Sequence, residues 1–142
     1  MPTSMPSAGV SNTALWTGRV ISGLVVAFLA FDGAIKLVPL DVVVDTSRQL
    51  GIPEHLARTL GVLTLVGTAL YATPRTAVLG AIVLTGYLGG AIYVHVRAGS
   101  PLSHTLFGVY LGLLIWGGLY LRDPLVRALI PLRRPTSAPG VA

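Results

Sequence analysis

The sequence predicts an all-α membrane protein: a bundle of four transmembrane helices, with a short interfacial helix between the first and second spans. Of 142 residues, 53% are hydrophobic and only 11% are charged, whereas about 25% are charged in ordinary soluble domains. The stretch from Arg75 to Arg97 carries no formal charge between its two arginines. A helix of about 20 such residues, rising ~1.5 Å per residue, crosses the ~30 Å core of a bilayer.

The first span is predicted at Ala14 to Leu37. Trp16 and Arg19 stand at its start, where an interfacial aromatic ring and a cation that reaches the headgroups are typical. Residues 1–13 before it are rich in Ser, Pro and Gly and are predicted to form a disordered tail.

Residues 38–53 are too few and too polar to span a membrane. Leu40, Val43, Val44 and Ser47 fall on roughly one helical face. Gly51 is a plausible stop for this helix. The pattern predicts a short helix at the membrane surface or folded over the bundle.

Three further spans are predicted at residues 53–72, 75–97 and 104–121. Pro74 suits the first position of the third helix, and Ser103 is a candidate N-cap for the fourth. Short connections make successive spans antiparallel neighbours. The transmembrane domain therefore covers residues 14–122, followed by a basic and then Pro/Ser/Gly-rich tail at residues 123–142.

The cations predict the orientation. With four spans, one side of the membrane receives Arg19, Arg75, Arg122, Arg127, Arg133 and Arg134, and the other receives Lys36, Arg48, Arg58 and Arg97. The positive-inside rule then places both termini in the cytoplasm. We expect a multi-pass protein of the inner (plasma) membrane. The net charge of +5 is explained in the same way, and no basic or aromatic platform for nucleic acid is present.

Small residues at helical spacing are expected to let helices pack closely in lipid. The predicted packing residues are Gly18 and Ser22, Gly86 and Gly90, and Gly108 and Gly112. Contacts within the bundle are the preferred interpretation, and a homodimer interface is the alternative.

Polar residues gather at the non-cytoplasmic ends of the predicted spans. Because charges inside lipid are costly, they tend to face the bundle or a wet cavity. We therefore predict a ligand site there, with tyrosines lining its apolar part: Asp32, Lys36, His55, Arg58, Tyr87, Tyr93, His95, Arg97 and His104. The alternative is that these residues lie near water only because helix ends do. Asp32 and Lys36, four residues apart, can pair on one helical face.

Several chemistries find no support. The chain has no cysteine, which excludes disulfides and thiolate metal sites. Haem held by two histidines is disfavoured because none lies well inside a span, and no zinc-type spacing occurs. There is no nucleophile elbow and no phosphate-binding glycine loop, so no catalytic residue and no metal site are assigned.

Three blocks resemble the DoxX-like family of small four-helix integral membrane proteins: FDGAIKL at 31–37, residues 70–101 with TGYLGGA and HVR, and LRDPLVRALIPLR at 121–133. The resemblance implies a link to membrane redox complexes, since the family takes its name from a subunit of a thiosulfate:quinone oxidoreductase. Relatives often carry an acidic residue where this chain has Thr64.

Three functions are weighed. The first is a non-catalytic scaffold or assembly subunit of a membrane redox complex, whose partner would be a membrane or soluble redox protein. The second is a subunit that binds a quinone or another apolar ligand, with no activity on its own because its electrons would come from a partner. The third is a small-solute transporter, although no inverted repeat is visible.

Overall fold

The computed structural model describes residues 9–131. This part of the chain is all-helical, with 81% of its residues in helices and no strand, which confirms the predicted all-α class. Its elements are α1 (Asn12–Ile35), α2 (Asp41–Gln49), α3 (Glu54–Ala72), α4 (Ala77–Arg97), α5 (Leu102–Arg122) and α6 (Pro124–Leu129).

The four long helices pack in a ring in which α1 contacts α3 and α5, and α4 contacts the same two helices from the other side. The short helices lie at opposite ends of this ring: α2 packs on α3, and α6 packs on α5. The end that carries α2 also holds the last turns of α1 and α4 and the first turns of α3 and α5. We call it the α2 end, and the opposite end the α6 end.

Three of the helices are long and apolar enough to cross a membrane: α1 with 24 residues, and α4 and α5 with 21 each. Leu24, Phe31 and Leu113 are among the large apolar side chains exposed on their outward surfaces, as contact with lipid tails requires. The 19 residues of α3 do not reach the same apolar content, because Glu54, His55 and Arg58 occupy its first turns. The fourth span stays a prediction.

Backbones approach closely where glycines face a neighbouring helix. A Cβ atom on Gly80 would lie within 3 Å of backbone atoms of Tyr71, so α3 and α4 are in direct contact there. A Cβ on Gly18 would lie 2.9 Å from the carbonyl oxygen of Gly118, and one on Gly118 would lie 2.7 Å from Ser22 Oγ. Gly18 and Ser22 thus hold α1 against α5, in keeping with their predicted packing role.

The other predicted packing pairs behave differently from one another. Gly108 is buried against Ile92, and Gly112 is half-buried near Leu88. Gly86 and Gly90 are exposed, with nothing within 4 Å of a Cβ added to either. The preferred interpretation, contact within the bundle, is therefore wrong for this pair. The inward face of α4 is formed instead by Ala77, Gly80, Ala81, Leu84 and Leu88.

Two predicted helix starts also change. The third long helix begins at Ala77, because residues 73–76 form the turn and Thr76 Oγ1 donates to the carbonyl oxygen of Leu70 at 2.8 Å. Pro74 therefore lies in the turn. The fourth begins at Leu102 after Pro101, which places Ser103 inside the first turn and not at the N-cap.

The predicted tails are only partly covered. Helix α1 already begins at Asn12, where Ser11 Oγ accepts from the backbone N–H of Ala14 at 3.3 Å. The start of the C-terminal tail forms α6, whose N-cap is Asp123: one carboxylate oxygen accepts from the N–H of Leu125 at 2.9 Å. Residues 1–8 and 132–142 of these tails lie outside the described residues.

Candidate functional site

A polar triad of Asp32, Lys36 and Tyr87 lies at the α2 end. Lys36 Nζ donates to Asp32 Oδ2, the pair expected from their spacing on α1, and to Tyr87 Oη of α4 at 2.9 Å. The Tyr87 hydroxyl also donates to Asp32 Oδ2, at 3.4 Å. With the Lys36 and Asp32 side chains 22% and 26% exposed, the three groups are satisfied mainly by one another, as polar groups at membrane depth require.

The local packing brings α3 against this triad. A Cβ atom on Gly61 would lie 2.8 Å from the carbonyl oxygen of Gly33 and 2.9 Å from Lys36 Cβ. Only glycine at position 61 allows α3 to approach the stem of Lys36 so closely. The lysine stem is thereby held between α1 and α3, and its ammonium group is directed to Asp32 and Tyr87.

Two grooves lie next to Lys36, and α2 contributes residues to both. The cationic groove has a volume of about 350 Å³ and carries these polar or charged side chains: Lys36, Ser47, Glu54, His55 and Arg58. The apolar groove has a volume of about 150 Å³ and is lined by Asp32 and Lys36 together with mostly aliphatic residues: Ile35, Val42, Val43, Leu50, Ile52, Ala57 and Leu60. Lys36 therefore lines both grooves.

Helix α2 packs on α3 and lines a groove together with Asp32 and Lys36, but it is held by few contacts. Ser47 is its one buried residue. Arg48 Nη2 donates to Glu54 Oε1 at 3.3 Å, which ties α2 to the start of α3. The C-terminal end of α2 is followed by Gly51, whose φ of +67° is expected of a helix-ending glycine. Arg97 also contacts this end, since its Nη2 donates to the carbonyl oxygen of Leu50 at 3.5 Å.

The three histidines do not form one site. The rings of His95 and His104 meet edge to face with centroids 5.4 Å apart, at the connection between α4 and α5. His95 Nδ1 lies 3.1 Å from Ser100 Oγ. His55 belongs to the cationic groove instead, and residues 9–131 contain no group of three or more His, Asp or Glu side chains placed to hold a metal ion.

The predicted site residues thus divide into two sets and one outlier. Asp32, Lys36, Tyr87, His55 and Arg58 lie at the triad and the cationic groove, whereas His95 and Arg97 at the end of α4 and His104 at the start of α5 lie around the α4–α5 connection. Tyr93 is 65% exposed on the outer surface of α4 and lines neither groove.

A polar network between α1, α3 and α5, toward the α6 end, was not predicted from the sequence. The Tyr71 hydroxyl donates to the carbonyl oxygen of Ile115 at 2.8 Å and lies 3.0 Å from Ser22 Oγ. Arg122 stacks over the Tyr71 ring at 5.0 Å and donates to its carbonyl oxygen at 3.1 Å. Ser22, a hydroxyl inside an apolar run, was the available signal. The Tyr71 and Ser22 hydroxyls satisfy each other in the core, whereas Arg122 Nε is buried without a hydrogen-bond partner among residues 9–131. We assign these groups to packing.

The chemistry available at the α2 end is that of binding. Lys36 and Arg58 present hydrogen-bond donors in the grooves and Asp32 presents an acceptor, next to an apolar surface of suitable size for part of an amphipathic ligand. Tyr87 lines neither groove and holds the Lys36 ammonium group. The residues of the triad and the grooves come from four helices, α1, α2, α3 and α4, so a ligand there would contact the interface at which these helices meet.

Long apolar helices with lipid-facing surfaces and polar groups turned inward define a multi-pass membrane protein. A sequence model of the DoxX-like family matches residues 20–118, a range that includes the triad and both grooves. The chain belongs to the DoxX-like family. No match was found among curated proteins or solved structures.

Proposed function

We propose that this DoxX-like protein is a ligand-binding subunit of a membrane redox complex, with no activity on its own. The observation that carries the proposal is the position of Lys36, which is held by Asp32 and Tyr87 and lines both grooves. A quinone is one ligand of suitable chemistry, because its carbonyl oxygen accepts hydrogen bonds and its ring and tail are apolar. A partner protein would supply the electrons.

In this proposal the protein lies in the plasma membrane and α3 crosses it as the fourth span. Both termini then lie in the cytoplasm. Two buried threonines in the middle of α3 support this topology, since Thr64 and Thr68 donate to carbonyl oxygens one turn earlier, at 2.8 and 2.7 Å. These hydroxyls therefore present no unsatisfied donor to lipid. The α2 helix would lie at the membrane surface away from the cytoplasm, opposite to the two termini.

The first test is mass spectrometry of the protein purified gently from native membranes. We expect a small amphipathic molecule bound to the wild-type chain, with its occupancy about fivefold lower in Tyr87→Phe. Tyr87 Oη accepts from Lys36 and positions its ammonium group, and one hydrogen bond contributes about 1 kcal/mol. Tyr110→Phe is the matched control, since Tyr110 is exposed on the outer surface of α5. A wild-type chain without any bound small molecule, or equal occupancy in both variants, would contradict the proposal.

A scaffold or assembly role is the second candidate, and the outward face of α4 favours it. Gly86 and Gly90 lie exposed there beside the exposed ring of Tyr93, so a partner helix or a second copy of this chain can approach the α4 backbone closely.

Replacing Gly90 with leucine tests that role. A Cβ at this position has no atom of residues 9–131 within 4 Å, and the added side chain blocks close approach by another helix. We expect the co-purifying protein, or the dimer, to be lost from native-membrane extracts while the variant stays folded. Unchanged association in Gly90→Leu would leave ligand binding as the sole candidate.

A further inference from the structure

We propose that the α6 end of the bundle binds the anionic headgroups of phospholipids, with α6 lying between the headgroups and the acyl chains. This surface is opposite to the triad, so it does not depend on ligand binding at Lys36. Three features carry the proposal: an excess of positive charge at the α6 end, arginines over aromatic rings, and exposed leucines on α6.

The excess of positive charge belongs to the α6 end. With the histidines neutral, the α2 end balances four cations against four carboxylates: Lys36, Arg48, Arg58 and Arg97, and Asp32, Asp41, Asp45 and Glu54. All three ion pairs found among residues 9–131 lie at the α2 end as well. The α6 end has four arginines and a single carboxylate: Arg19, Arg75, Arg122 and Arg127, and Asp123. This leaves three positive charges there without a counter-charge in the described part of the chain.

Three of these arginines lie at similar depth, as contact with one headgroup layer requires. A Cβ atom on Gly18 would lie 2.9 Å from the backbone nitrogen of Arg122, so Arg19 on α1 is level with the end of α5. Arg122 Nη2 in turn donates to the carbonyl oxygen of Tyr71 at 3.1 Å. Arg75 follows Tyr71 by four residues, in the exposed turn between α3 and α4. Side chains from three parts of the chain thus form one cationic surface.

Two arginines at this end lie over aromatic rings. The guanidinium carbon of Arg19 is 5.6 Å from the ring centre of Trp16, and that of Arg127 is 5.3 Å from the ring centre of Tyr120. Trp and Tyr rings favour the level of the lipid headgroups, and a guanidinium presents parallel N–H donors that match two phosphate oxygens. The two pairs therefore hold donors at the depth where lipid phosphates lie.

Helix α6 exposes an apolar face beside these cations. Leu125 and Leu129, one turn apart, are 73% and 60% exposed, whereas Val126 is buried against the bundle. A helix with leucines on one face and arginines around it is typical of a membrane interface, where the leucines enter the acyl region. An anionic phospholipid supplies both partners, a phosphate for the arginines and an acyl chain for the leucines.

The test measures lipid binding at the α6 end through the fluorescence of Trp16. Full-length protein with Trp116→Phe, which leaves Trp16 as the remaining tryptophan, is placed in phosphatidylcholine bilayers that contain brominated phosphatidylglycerol or brominated phosphatidylcholine. We expect quenching to show a preference of about tenfold for phosphatidylglycerol. In Arg19→Gln/Arg75→Gln the preference should fall to about twofold or less, because each arginine near an anionic surface contributes a factor of about five.

The matched control is Arg58→Gln/Arg97→Gln, which removes two exposed arginines from the α2 end. The preference should stay at the wild-type level in this variant. Equal losses in the two double variants would mean that the lipid responds only to the total positive charge, and would overturn the inference. Loss of the wild-type preference on addition of inorganic phosphate, at the concentration of phosphatidylglycerol, would also overturn it, because the surface would then be a site for a free anion.

A second reporter tests the position of α6. Leu129→Trp is made in a chain with Trp16→Phe and Trp116→Phe, and its fluorescence should be quenched by brominated phosphatidylglycerol and not by acrylamide in the water. Leu113→Trp, at an exposed position in the middle of α5, gives the reference for full contact with lipid. Quenching by acrylamide alone would overturn the inference. So would an acidic protein that co-purifies from native membranes with wild type and not with the double variant of the α6 end, if bilayers show no preference for phosphatidylglycerol.

Discussion

Gly80→Leu is expected to disrupt the packing of α3 against α4 and to lower the thermal stability of the protein strongly. A Cβ at position 80 would meet backbone atoms of Tyr71 at less than 3 Å, and a backbone cannot move aside as a flexible side chain can. The two helices must separate, which exposes the buried network around Tyr71. We expect a destabilisation of about 3 kcal/mol or more, seen as a fall in Tm on the order of 10 °C.

Gly90→Leu is the matched control for this measurement. It makes the same chemical change on the same helix, at a position where an added Cβ meets nothing within 4 Å. Followed by circular dichroism in detergent, its unfolding should occur within a few degrees of wild type, since leucine also favours helix more than glycine by about 1 kcal/mol. Equal losses in the two variants would contradict the α3–α4 contact described here.

The long helices were predictable because each one corresponds to a single uninterrupted, mostly apolar segment of the sequence. The structure places α3 between Glu54 and Ala72 and α4 between Ala77 and Arg97, within about two residues of the predicted bounds. The errors lie at connections, where capping decides the helix end. Asp123 and Pro124 together form an N-cap and first turn, whereas the sequence predicts a tail from residue 123.

The inward face of α4 could not be predicted from spacing alone. Gly86 and Gly90 form a GxxxG pair, but Gly80 makes the close contact. In a soluble helix the apolar stripe identifies the buried face. A helix in lipid is apolar all round, because lipid tails are as apolar as leucine, so only the arrangement of the neighbouring helices decides which glycine is covered.

Only the contact between candidate-site residues on the same helix was predictable from the sequence. Asp32 and Lys36 lie one turn apart on α1, and their pairing is confirmed. Tyr87 joins them from a helix more than fifty residues later along the chain, which spacing does not encode. The same limit explains the histidines: all three lie at the α2 end, yet His55 faces the cationic groove while His95 contacts His104.

The Lys36 pair also gives the second large effect that we expect. Lys36→Met removes the cation and leaves the Asp32 carboxylate, only 26% exposed, with the Tyr87 hydroxyl as its remaining donor. Loss of a partner for a largely desolvated charged group costs about 1–3 kcal/mol or more. Asp32→Asn in the same chain removes the isolated charge, so the double variant should recover most of the stability lost by Lys36→Met.

The double variant therefore separates folding from binding. In the proposed function Lys36 and Asp32 contact the ligand, so the recovered protein should still lack the small molecule that co-purifies with wild type. The measurements are thermal unfolding and mass spectrometry on the same four preparations: wild type, the two single variants and the double. Recovery of both stability and ligand would contradict ligand contact by the pair. That result would mean that the Asp32–Lys36 pair has only a structural role. Pairing lowers the cost of placing the two charges inside the membrane, because charged groups there are tolerated when they are paired and hydrogen-bonded.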